Sequence, residues 1–266
     1  MTHPLDGARE RLKRADENIR NLNREIIAFL APAPTVTLAV DVDAAKPIIT
    51  DKDRQTFEEL QQFIINTMIP PRLKVLTGEI IHHFRCAFDH VAWQLSSAEI
   101  QAKFPTRIEF PVCIEEPRSC GITKNKMSSY CRQIQGIASP TALTRIHRLQ
   151  PYLRENPSRD PLWLIHDMDR IDKHRELILA AFTGQLDMQA NAEIPAVGIM
   201  MPWEIRPRTG SVRIVGPTKV EMKAKMTVQI ALGEFTKRED QPIIPTLQNF
   251  LRFTNDSVEL FANEFA

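Results

Sequence analysis

The sequence predicts an α+β protein, a helical bundle core with a small antiparallel β-sheet from the C-terminal third. Three observations lead there. Leu5, Ala8, Leu12, Ala15, Ile19, Leu22, Ile26 and Phe29 recur at steps of three and four residues, the period of a long amphipathic helix. In "EIIHHFRCAFDHVAWQL", Glu79 to Leu95, a second helix gathers Ile80, Ile81, Phe84, Ala87, Phe88, Val91 and Leu95 on one broad arc. In "VEMKAKMTVQIAL", Val220, Met222, Ala224, Met226, Val228, Ile230 and Leu232 alternate with mostly polar residues, the period of a half-buried strand.

The elements follow in order. "APAP" at Ala31 to Pro34 ends the first helix, because proline has no N–H to continue the ladder. "TVTLAVDVD" and "KPIIT" read as two short strands, and Phe57 to Met68 as a short helix. Pro70 and Pro71 suit the first turn of the central helix, which extends from about Arg72 to Ser97. "RIEFPVCI" has the composition of an edge strand interrupted by Pro111. Residues 115–140 hold little periodicity and several turn formers, and predict a long, partly irregular connection. "TALTRIHRLQPYL" is a short helix ended by Pro151. Asp160 as N-cap and Pro161 at the first helical position open "DPLWLIHDMDRIDKHRELILAAF". There Leu164, Ile165, Met168 and Ile171 share one face, and His166, Asp169, Arg170, Lys173 and His174 the other. "ELILAAFTG" continues that helix or turns into a strand, and "EIRPRTGSVRIVG" resembles a hairpin turning at Thr209 and Gly210. Leu247, Phe250, Leu251, Val258, Phe261 and Phe265 mark a last helix able to pack against the first. The expected organisation is a single domain over 1–266, with a helical core at about 1–182 plus 243–266 and a β-rich lobe at about 194–235.

Composition removes several function classes. Lys plus Arg is 34 against 33 for Asp plus Glu, a formal charge of +1, so no global basic field attracts nucleic acid. The local clusters, Arg9, Arg11, Lys13 and Arg14, then Arg206, Arg208, Arg213, Lys219, Lys223 and Lys225, read as solvated faces. Cys86, Cys113, Cys120 and Cys131 contain no C-x-x-C pair, which suggests neither a disulfide framework nor a zinc ribbon. There is no apolar signal segment at the start and no apolar run near the roughly 18 residues of a membrane span, so the expected location is cytoplasmic, with no membrane partner. The nucleotide, hydrolase and zincin signatures are absent and glycine is scarce, so no cofactor is expected.

What chemistry exists must come from the two histidine-rich helices. His82, Cys86 and His90 stack at successive i, i+4 steps of the central helix, among Arg85 and Asp89 and without a lysine after Glu79. Three readings are open. Histidine titrates near neutrality and can move the proton of an attacking 2′-hydroxyl, while a fixed arginine neutralises a phosphorane, so Arg85 and His90 could cleave RNA without a metal. His82, Cys86, His90 and Asp89, joined by His166, Asp169 and His174, could instead ligate zinc or iron between helices. Or Asp89, Arg85, His82, His166 and Asp172 satisfy one another as a buried polar seam of a non-catalytic interaction protein.

"FRCAFDH" resembles the R-x4-6-H motif of the HEPN superfamily, with Cys86 where a polar residue usually follows the arginine. The resemblance implies a helical bundle, commonly a homodimer, often an RNase or toxin, with Arg85 and His90 as the nuclease residues. Asp89 would orient Arg85 or a histidine, and His174 would support from the second helix. "GEIIHHFRCAFDHVAW" with the later "IDKHR" is also similar to a bacterial family reading G-D-x-L-H-N-L-R-x-A-L-D-H-L-A-W and I-D-K-H-R. That likeness spans most of the chain and implies no particular activity.

Overall fold

The computed structural model describes residues 3–41, 46–48, 50–117, 129–175, 177, 179–190, 222–233 and 242–265. Among the described residues, eight α-helices and four strands follow in the order α1 (Asp6–Leu30), β1 (Val36–Asp41), β2 (Lys46–Ile48), α2 (Asp51–Asn66), α3 (Pro71–Leu95), α4 (Ala98–Lys103), α5 (Ser129–Ile134), α6 (Pro140–Arg148), α7 (Pro161–Asp172), β3 (Leu179–Ala190), β4 (Met222–Leu232) and α8 (Ile243–Glu259). The chain is therefore α+β, as its periodicities require.

It divides into two compact units. The helical unit takes Met1–Ile26, Pro70–Leu179 and Leu232–Ala266. Its centre is α3, which packs against α7 and α8. Ile80, Ile81, Phe84, Phe88, Leu247, Phe250 and Phe261 are buried there. Phe110 joins them from the segment after α4, its ring centroid 5.0 Å from that of Phe88 and 6.2 Å from that of Phe261. Arg9 of α1 donates twice to the Glu259 carboxylate of α8, at 2.8 Å each, so the first and last helices of this unit are tied together.

The second unit takes Ile27–Ile69 and Ala180–Ala231. Its sheet has the order β2-β1-β4-β3, with β1 antiparallel to β2 (Ala39 opposite Ile48) and to β4 (Val36 opposite Met226). α2 packs on β1 and buries Leu60. The sheet thus draws half its strands from residues 36–48, upstream of the C-terminal third, and residues 27–69 group with it and not with the helical core. Of "ELILAAFTG", the residues from Leu179 onward are strand and open β3. The hairpin expected at Thr209 and Gly210 lies outside the described residues, as does most of the expected β-rich lobe.

Two local expectations are corrected. Residues 107–114 form no strand. Their backbone is satisfied by side chains instead: Asp89 accepts from the Phe110 N–H, Arg85 donates to the Phe110 carbonyl, and Gln150 accepts from the Cys113 N–H while donating to the Pro111 carbonyl. Within the partly irregular connection α5 is a short helix, and residues 118–128 lie outside the described residues. Cys131 in that helix is disulfide-bonded, a pairing that cysteine spacing without a C-x-x-C signature could not reveal. The helix expected at Phe57 to Met68 begins earlier, at Asp51 behind the Thr50 cap, whereas Asp160 caps α7 as expected by accepting from the Leu162 N–H at 2.8 Å, with Pro161 at its first position.

Candidate functional site

α3 presents chemistry on two sides. On the α7 side, the Arg85 Nη2 donates to Asp89 Oδ1 at 2.8 Å, one helical turn on, and to the Phe110 carbonyl at 3.0 Å. Asp89 Oδ1 also accepts from the Phe110 N–H at 2.9 Å. Arg85 and Asp89 therefore grip both backbone polar groups of one residue whose ring plugs the aromatic core. Arg85 is 4% exposed. Burial pushes the Asp89 carboxyl up, while the Arg85 guanidinium and the Phe110 N–H oppose the shift by favouring its charged form.

One turn earlier, His82 Nδ1 lies 2.9 Å from Asp169 Oδ1 of α7, and its Nε2 lies 3.3 Å from the Cys86 Sγ. The other Asp169 oxygen takes the Lys173 ammonium at 2.6 Å. That contact raises Lys173 although burial by itself would lower it. His166 stacks at 5.9 Å from Trp163, and burial, reinforced by the Arg85 charge, pushes it down to about 4. Asp172 rests on α3 at Gly78, where an added Cβ would overlap its carboxylate. Asp172 is raised by burial and then by the neighbouring Asp169 charge. His174, beyond the end of α7, is exposed.

The α1 side differs. α1 and α3 run antiparallel: Gly7 faces His90, Arg14 acts on His83, and Glu25 pairs with Arg72 at 2.8 Å. His90 presses against Gly7, where an added Cβ would meet the ring at 3.0 Å. Among the described residues it has no hydrogen-bond partner. Burial and then the Arg11 charge lower it; the same two causes, in the same order, lead the lowering of His83, whose Nδ1 is buried without a partner among the described residues. Arg11 also acts on Cys86.

Arg11 stands apart from its neighbours. On α1, Arg9, Lys13, Arg14 and Arg20 are each ion-paired and Arg24 bonds Asn21, whereas Arg11, half-buried, has neither hydrogen bond nor ion pair among the described residues. The sequence shows it only as one member of a basic cluster; its isolation comes from the register of α1 on α3.

The residues singled out in the sequence thus separate. Arg85, Asp89, His82 and Asp169 come together with His166 beside them; Asp172 docks on Gly78; His90 lies on the opposite flank, with Arg11 and His83. Arg85 and His90 do not share a target, because five residues turn a helix by about 140°. Among the described residues no three His, Cys, Asp or Glu side chains are placed to hold a metal ion. No described helix is long and apolar enough to cross a membrane. No family model matches the chain, and neither a curated protein nor a solved structure matches it.

Proposed function

We propose that the protein binds RNA and cleaves it without a metal, on the α1 side of α3, with Arg11 receiving the phosphate and His90 accepting the 2′-hydroxyl proton. The observation behind this reading is the unpaired, half-buried Arg11 acting on two imidazoles, His90 and His83, that burial keeps neutral at physiological pH. A desolvated guanidinium without a carboxylate favours an anion, and a neutral imidazole beside it is the form a general base must have. The charge that develops on the phosphorane oxygens would fall to Arg11, and His90, carrying the proton taken from the 2′-hydroxyl, would return it to the leaving 5′-oxygen. The resemblance of "FRCAFDH" to the HEPN motif supplies the substrate class. In this reading His90 keeps the role that the motif implies, while Arg85, committed to Asp89 and Phe110, holds the fold.

The test is cleavage of a labelled mixed-sequence RNA in EDTA by wild type, Arg11→Ala and His90→Ala, with folding followed by circular dichroism. Wild type should leave 2′,3′-cyclic phosphate ends, and each folded variant should lose on the order of a hundredfold or more in rate. Should wild type cleave nothing, or both variants match it, the function is that of a non-catalytic interaction protein. The Arg85–Asp89–Phe110 clamp favours that second reading, since it gives the motif arginine a structural task.

A further inference from the structure

Cys86 is the one nucleophile in this cluster that RNA cleavage leaves unused. Its sulfur is 3.3 Å from His82 Nε2, and the opposite ring nitrogen is 2.9 Å from the 5%-exposed carboxylate of Asp169. Chemistry fixes the direction of these bonds. An ionised carboxylate can only accept, so Nδ1 carries the hydrogen and Nε2 presents its lone pair to the thiol. Lys173 holds the second Asp169 oxygen at 2.6 Å, which fixes the orientation of the carboxylate. A nucleophile within reach of a base, with that base oriented by a third group, is the arrangement that activates side-chain nucleophiles. His82 is about half exposed and Cys86 half-buried, so the pair borders solvent.

We propose that Cys86, His82 and Asp169 form a thiol acyl-transfer site for an ester or thioester, built from side chains that the proposed RNA cleavage does not use. In the first step the Cys86 S–H proton passes to His82 Nε2 as sulfur bonds to the acyl carbon. The carbon–oxygen (or carbon–sulfur) bond to the leaving group then breaks, and that group departs with the proton. Water, giving a proton to His82, next attacks the acyl-cysteine; the Cys86 sulfur leaves as the thiol and a carboxylic acid is released. Burial pushes the Cys86 thiol up, against the pull of Arg11, so the sulfur is not ionised on its own and attack depends on His82 taking the proton.

The probe is 4-nitrophenyl acetate with the intact protein, reading nitrophenolate release and the acetylated peptide by mass spectrometry. Wild type should release a burst approaching one equivalent and carry acetyl on Cys86. Cys86→Ala should abolish the burst, and His82→Gln, which keeps a hydrogen-bonding side chain, should slow it at least tenfold with the thiol still present. Cys86→Ser, nearly isosteric, guards against a folding artefact. A burst that survives Cys86→Ala, acetyl found only elsewhere, or an unchanged rate in His82→Gln overturns the proposal. RNA and ester assays read different side chains, so either can fail while the other stands.

Discussion

Single residues on α3 divide by what their neighbours demand. Arg85 stands out in the sequence as an arginine within an apolar helix, and its guanidinium is bound to Asp89 and the Phe110 carbonyl. Removing one partner of such a buried pair costs about 3–5 kcal/mol, because the other charge is left uncompensated. Arg11 looks like any surface arginine in the sequence, and only its placement opposite His83 and His90 distinguishes it. Pattern reading finds residue types and faces; it does not find which cation lacks an anion. His166 gives a prediction at this scale. Its imidazole falls from the ordinary 6.5 to about 4 through burial and then the Arg85 charge, with Asp169 and Asp167 pulling upward and Arg170 downward. The unfolded chain therefore takes up the proton first. The associated stability is present above pH 6.5 and is lost as pH falls toward 4, on the order of 2 kcal/mol once solvent screening is allowed for. Urea midpoints measured across that range should fall for wild type and fall less for His166→Gln; equal slopes would contradict the assignment.

At the scale of elements, the two family-like motifs explain each other. "GEIIHHFRCAFDH" and "IDKHR" lie on α3 and at the end of α7, and they meet through Gly78 with Asp172 and His82 with Asp169. Alanine is intrinsically better than glycine inside a helix by about 1 kcal/mol. At position 78, however, the new Cβ would overlap the Asp172 carboxylate, standing 2.5 Å from its Cγ. Gly78→Ala should therefore destabilise the protein by roughly 1–3 kcal/mol. In an Asp172→Ala background, with the carboxylate gone, the same change should become neutral or stabilising. A double-mutant cycle by urea denaturation checks this, and an unchanged penalty in both backgrounds would show that the two residues do not touch. The helices themselves are legible in the sequence, since apolar spacing, Pro71, Asp160 and Pro161 fix where they run. The segment around Phe110 is not. It has strand composition, but its hydrogen bonds go to Asp89, Arg85 and Gln150, side chains distant in sequence.

For the whole molecule, α+β class follows from period 3.6 in α1, α3 and α8 and period 2 in β4. The grouping into two units does not, because strand pairing between residues 36–40 and 222–226 is a long-range choice that alternation alone leaves open. The site is half legible for a related reason. His82, Arg85, Asp89, His90 and Asp169 stand out by residue type, but their partition between the two flanks of α3 depends on which helix packs where. The measurement that bears most directly on the phosphate seat is an NMR titration of the His90 C2–H, assigned with His90→Gln, with and without a deoxyoligonucleotide that lacks the attacking hydroxyl. His90 should titrate below 6.5 in the free protein, rise when the oligonucleotide binds, and lose that rise in Arg11→Ala. A His90 titration that ignores the oligonucleotide, or responds equally without Arg11, would contradict a phosphate held between them.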